Sequence, residues 1–241
     1  MPGADPRAMS HSWLFTGPPG SGRSLAAIDF AAALMCTDPE EPGCGRCEAC
    51  RAVLETKQHT DLVLVDPQEV IIPVDTVREV IGRAASLPTV APWRVVIFNN
   101  ADRLNNNGAN ALLKTVEEPP ARTVIIMCAP SDAPEDFSQT LRSRCRHLYI
   151  PSPSVESITA QLVSEGASDH DAHLAALTSL RHVGRARRLV NDTAVQKRRA
   201  AAINLAEEVF HGSQGFQAVT SLLKLVDSEA KESHKDQEEA E

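Results

Sequence analysis

Short apolar runs separated by stretches of helical spacing fill the first 150 residues. The runs are Trp13–Thr16, Leu62–Val65, Val95–Phe98, Val124–Cys128 and Leu148–Ile150. They are continuous rather than alternating, the pattern of strands covered on both faces. Between them, Leu25, Ile28, Ala32 and Met35 recur at helical spacing, as do Ala109, Leu112, Leu113 and Val116. Asn105 is placed to cap the second helix, and Pro119-Pro120 stops it. Strands alternating with helices predict an α/β fold built on a parallel sheet.

Beyond Pro151-Ser-Pro153 the texture changes. From Ser154 to Asp192 the spacing is helical, with no convincing strand, and a further helical stretch from Arg198 to Val226 leads into a charged tail. The pattern predicts an α/β core over 1–150, a small all-α domain over 151–195, and a partial helical region with an acidic tail over 196–241.

Composition narrows the class. Apolar residues are 42% of the 241, enough for an ordinary soluble core. No apolar run approaches the roughly 18 residues of a membrane span. The opening MPGADPRAMS lacks the apolar heart of a secretory signal, so a cytoplasmic location is expected. Net charge is −8, and the last fifteen residues hold seven acids against two lysines, leaving the remainder near neutral. Such a balance argues against strong autonomous DNA binding and leaves open a local basic patch within an assembly.

Four of the six cysteines lie between positions 36 and 50, as Cys36, Cys44, Cys47 and Cys50. In a cytosolic chain such clustering reads as metal binding before disulfides. The tight triplet brings three thiolates to one ion, and Cys36 comes from the end of the preceding helix. Four sulfur ligands with no open position describe structural zinc. Cys128 lies in an apolar strand and reads as core.

Gly17-Pro-Pro-Gly-Ser-Gly-Arg-Ser24 follows a predicted strand and opens a predicted helix. This is the context of a phosphate-binding loop. Gly17, Gly20 and Gly22 let backbone amides turn inward, and the helix N-terminus adds partial positive charge. Ser24 is the natural magnesium ligand. The lysine that reaches the outer phosphates is replaced by Arg23, a bulky planar fork in place of a slender point charge. A second departure lies elsewhere. Hydrolysis needs a carboxylate at the end of another strand to hold Mg²⁺, and the run Val95–Phe98 ends in Asn99-Asn100. The chain's own ATPase centre is therefore expected to be inactive, with ATP binding left open. On the residues alone, the loop could equally serve only to turn the chain.

Together these motifs resemble the bacterial clamp-loader AAA+ family, whose zinc module follows the phosphate-loop helix. Asn110-Ala-Leu-Leu-Lys-Thr-Val-Glu-Glu-Pro-Pro120 is similar to the segment after that family's magnesium-binding strand. Leu141-Arg-Ser-Arg-Cys145 is similar to its Ser-Arg-Cys motif, and Ile72–Arg78, with Asp75 and Arg78, also fits. The resemblance runs from His11 to Asp192. It implies an AAA+ core, a helical lid and a helical collar that builds a pentamer in the DNA polymerase III holoenzyme. Implied partners are gamma/tau and delta and, through the complex, the sliding clamp and primer-template DNA. In this family gamma/tau subunits are the motors and keep the loop lysine and the acids. Delta-prime subunits are often stators with degraded versions of both, and Arg23, Asn99 and Asn100 place the chain on that side. The resemblance makes Arg144 a finger that reaches the ATP of a neighbouring subunit, and leaves Cys145 to pack. Without it, Arg142, Arg144 and Arg146 read as a solvated basic turn. Arg185 is the match to the lid's sensor arginine, although Arg185, Arg187 and Arg188 could also form a plain helix face.

Family members usually begin further upstream of the phosphate loop and carry a longer collar, so the sequence is expected to be a fragment, a truncated product or a mis-assigned start. Two rival readings stand beside this one. The first is a working ATPase of gamma/tau type. The second is a zinc-dependent nucleic-acid adaptor, for which the cysteine segment offers only Arg46 and Arg51 beside Glu40, Glu41 and Glu48.

Overall fold

The computed structural model describes residues 10–67 and 69–210, with positions 216, 219, 220, 223, 224 and 227 beyond them. The chain divides into two compact units, Met1–Ser152 and Pro153–Glu241.

The first unit is built on one parallel sheet. Its strands are β1 (Ser12–Thr16), β2 (Leu62–Val65), β3 (Arg94–Phe98), β4 (Thr123–Ala129) and β5 (Arg146–Tyr149), in the order β2-β3-β4-β1-β5. Around it lie α1 (Arg23–Met35), α2 (Glu48–Arg51, running on as a π-turn over Ala52–Thr56), α3 (Val74–Ala84), α4 (Asn106–Glu117) and α5 (Gln139–Arg142). Successive strand residues face opposite sides. Val96 and Phe98 therefore pack with α3 and α4, while Val95 and Ile97 pack with α1 and the cysteine segment. Two covered faces explain the unbroken apolar runs. Register places Thr16 beside Ala129 and Phe98 beside Met127, so the carboxyl ends of β1, β3 and β4 share one rim. The crevice outside such a rim is where open α/β sheets bind ligands.

Three details depart from the sequence pattern. The last strand spans Arg146–Tyr149 rather than Leu148–Ile150, and Leu148 and Tyr149 are 41% and 59% exposed. It pairs with β1 alone among the described strands, as an edge strand covered on fewer sides. Leu25 is 64% exposed, and α1 buries Ala27, Ile28, Ala31, Ala32 and Met35 instead. Helix α3 was not anticipated, because its buried stripe is only Val77, Val80 and Ala84 among charged neighbours. The Asn105 cap is observed: its side chain accepts from the Gly108 amide at 2.8 Å.

Asp61, fully buried at the foot of β2, organises that end of the sheet. It accepts from the amides of Thr89, Val90 and Ala91 at 2.8–2.9 Å and from Arg94 Nη2 at 2.9 Å. Burial alone would raise its pKa, but these donors outweigh it and hold the carboxyl well below the usual range.

The second unit contains α6 (Val155–Ser164), α7 (Asp169–Thr178), α8 (Val183–Asn191) and α9 (Thr193–Phe210). Ser154 and Ser168 cap α6 and α7 through their hydroxyls. Ile158, Leu162, Ala172, Ala175, Ala176 and Ala186 form its core. Helix α9 starts at Thr193, five residues before the predicted stretch. Most of that stretch beyond 210, and the acidic tail, lie outside the described residues. Among the described residues, no helix is long and apolar enough to cross a membrane.

Candidate functional site

The loop Gly17–Gly22 joins β1 to α1 at the shared rim. Gly17 is required by close approach: a Cβ there would stand 2.2 Å from the Ile150 carbonyl oxygen. Gly22, the residue before α1, has φ 90°, which a side chain would strain. The Ser21 amide donates to the Pro18 carbonyl at 3.0 Å, and the Gly17 amide to the Pro130 carbonyl at 3.2 Å. Gly20 also turns in the left-handed region, and Ser24 follows Arg23 in the first turn of α1.

The Arg23 side chain folds back over this loop. Its Nη1 donates to the Gly17 carbonyl at 2.8 Å, and its Nη2 makes a longer contact with Asn100 Oδ1 at 3.4 Å. Asn99 and Asn100 sit at the tip of β3, where the Asn99 amide donates to the Val65 carbonyl at 2.9 Å. Asn100 is left-handed at φ 52°, leading into the short 3₁₀ turn Ala101–Arg103 that contains Asp102. The β3 tip thus presents two neutral amides, Asn99 and Asn100, rather than a carboxylate.

The four clustered cysteines converge. The sulfurs of Cys36, Cys44, Cys47 and Cys50 all lie within 4.8 Å of one another, with Cys36 to Cys44 at 3.7 Å and Cys36 to Cys47 at 3.9 Å. A tetrahedral zinc with Zn–S bonds of roughly 2.3 Å would place its sulfurs about 3.8 Å apart. Cys36 leaves the end of α1, and Cys47 caps α2, which carries Cys50. Backbone donation from Thr37 leads the causes that pull the Cys47 thiol down to about 6, and burial pushes Cys50 up to about 12. Donor type, number and spacing fit zinc, and no position is left open for chemistry. Cys128 and Cys145 are different: burial pushes each up to about 12, so both are packing residues.

Arg144 follows α5 on the surface. Its Nε donates to Glu117 Oε1 at 2.5 Å, and its Nη1 donates to the Thr140 carbonyl at 2.8 Å. Beneath it, Arg142 bonds Asp132 at 3.0 Å and reaches His147 Nδ1 at 3.1 Å. His147 Nε2 lies 2.6 Å from the hydroxyl of Thr16, the residue before the loop. The turn that presents Arg144 is thus tied to the strand that feeds the loop. The sequence did not reveal Glu117 or His147 as supports, because each meets its partner only through folding. Arg185 belongs to the other unit. It is exposed on α8, and its amide donates to His182 Nδ1 at 3.2 Å, while Arg187 pairs with Glu165.

A parallel sheet in this order, with a phosphate-type loop leading from β1 into α1, defines the AAA+ class of P-loop proteins. The chain belongs to the family described as DNA polymerase III, delta subunit, which matches residues 4–154. It is 35% identical over 165 residues to DNA polymerase III subunit delta' of Pseudomonas aeruginosa, covering 66% of this chain and 49% of that one. The Escherichia coli subunit delta' is 34% identical over 170 residues, covering 69% and 50%. The chain therefore spans about half the length of these relatives. The fold is shared with a DNA polymerase III gamma subunit-related protein of Thermotoga maritima, at TM-score 0.50 and 18% identity, over 91% of this chain and 69% of that one.

Proposed function

We propose that the chain is a non-motor, delta-prime-type subunit of a DNA polymerase III clamp loader, which does not turn over ATP and lends Arg144 to the ATP site of a neighbouring gamma/tau subunit. The observation that carries this reading is the coexistence of a carboxylate-free β3 tip, Asn99-Asn100, with an exposed and supported Arg144. A motif serving only the chain's own ATP would have no use beside such a tip. A guanidinium presented to another subunit's phosphates stabilises charge as it develops on the transferring phosphoryl group.

In this reading 1–150 is the core, with a structural zinc held by Cys36, Cys44, Cys47 and Cys50. Residues 151–195 form the lid that carries Arg185 as sensor, and 196–241 begin the collar. Delta and gamma/tau are the partners, and the sliding clamp and primer-template DNA are met through the complex, in the cytoplasm. The relatives' names and the matched family support this assignment. The test is assembly of the loader from this chain with gamma/tau and delta, followed by clamp loading on primed DNA. The reading expects stable co-purification, no ATP turnover by the chain alone, and impaired loading in the Arg144→Ala assembly. Turnover by the isolated chain at an ordinary enzyme rate would instead favour a motor of gamma/tau type.

A further inference from the structure

The arginine that replaces the loop lysine has a position of its own to explain. The loop after β1 and the tip of β3 are separated in the sheet by β4. In a nucleotide-loaded P-loop protein, phosphate and Mg²⁺ span that gap, touching loop amides on one side and a carboxylate on the other. Here Arg23 spans it. One nitrogen of its fork is bonded to Gly17 and the other faces Asn100, and its backbone carbonyl lies over Cys128 of β4. Its Nε is buried with no hydrogen-bond partner among the described residues, and the side chain as a whole is half-buried. Ser21 and Asn99 present buried side-chain oxygens, Oγ and Oδ1, that also lack a partner among the described residues.

We propose that the Arg23 guanidinium is a built-in occupant of the phosphate loop, a permanent strut that stands in for the bound ligand. The two departures from an active site then become a matched pair. An arginine aims two separate nitrogens of a planar fork at two acceptors, where a lysine has a single nitrogen to offer. The asparagine at the β3 tip offers that fork an acceptor oxygen and no charge for Mg²⁺. The Ser21 and Gly17 amides, already committed to Pro18 and Pro130, complete a loop closed on itself. The rim is held in a loaded-like shape without nucleotide, which suits a subunit that must keep its surface constant while neighbours cycle. The inference concerns the chain's own loop and does not depend on where Arg144 reaches.

The test uses the full chain, titrated with inorganic pyrophosphate, which needs only the loop amides, and with Mg·ADP. Amide exchange over 17–22 and 99–101 is followed in parallel. The wild type should bind neither probe measurably. Arg23→Lys should bind pyrophosphate at least about tenfold more tightly than the wild type, without gaining ATP hydrolysis. Arg23→Ala should speed exchange at both the loop and the β3 tip. Asn100→Ala should do so mainly at the tip, because the stronger anchor is Gly17. Wild-type binding equal to that of Arg23→Lys would overturn the proposal, as would unchanged exchange at the β3 tip in Asn100→Ala. These last two variants keep it testable if Arg23→Ala fails to fold.

Discussion

Arg23 and Arg144 are the same side chain in opposite settings. Arg23 turns inward, half-buried and bonded to the chain's own backbone at Gly17. Arg144 turns outward, leaning on a surface carboxylate. The first arrangement ties a guanidinium to the loop, and the second leaves one on the surface, bonded to Glu117 and the Thr140 carbonyl. On the function proposed above, losing nucleotide chemistry at one place need not remove a chain from a nucleotide-driven machine. What matters is which guanidinium is committed within the chain and which is offered outside it.

Both arginines stand on one sheet, and Asp61 tests that platform with the largest expected effect. Asp61→Ala would strand the buried Arg94 and three amides, at a cost of about 3–5 kcal/mol. Denaturant unfolding should show both regions failing together. The native Asp61 pKa lies below its ordinary value of about 3.9. Its contribution is therefore complete above that pH and is lost as pH falls toward the lower folded value. An acid-unfolding curve for Asp61→Asn should lack that limb.

The cysteine segment should be separable from both arginines. Elemental analysis of protein purified without added metal should give about one zinc per chain. Cys47→Ser should loosen the 36–50 segment while leaving exchange at 17–22 unaltered. A metal-free protein with an ordered cysteine segment would contradict the zinc assignment.

The smallest effect belongs to the support of Arg144. An exposed ion pair is worth roughly 0.2–1 kcal/mol. Glu117→Gln should therefore barely move stability, while lowering clamp-loading rate by a few-fold at most. A loss as large as that of Arg144→Ala would mean that Glu117 acts directly on the neighbour's nucleotide.

Much of this was legible in the residues. The continuous runs at 62–65 and 95–98 located their strands, because strands buried on both faces need apolar side chains at every position. The cysteine spacing located the sulfur cluster, since close sequence spacing leaves thiols few ways to stay apart. Helix α3 was hidden because it buries only Val77, Val80 and Ala84, and the charged residues between them blur the helical spacing. The edge strand was misplaced because Arg146 sets its guanidinium over the Trp13 ring, 5.2 Å from the centroid, and so occupies a strand position despite its charge. The inward course of Arg23 was not legible at all, since Asn100 is 77 residues away and meets it only across the rim.

The central claim is tested most directly at a single neighbouring site. In an assembled loader whose other motor sites are inactivated, ATP turnover at the site adjoining this chain should fall by about 10³-fold or more when Arg144 is replaced by alanine. The complex should still assemble. Unchanged turnover at that site in an intact Arg144→Ala complex would contradict the account and return Arg144 to an ordinary surface turn.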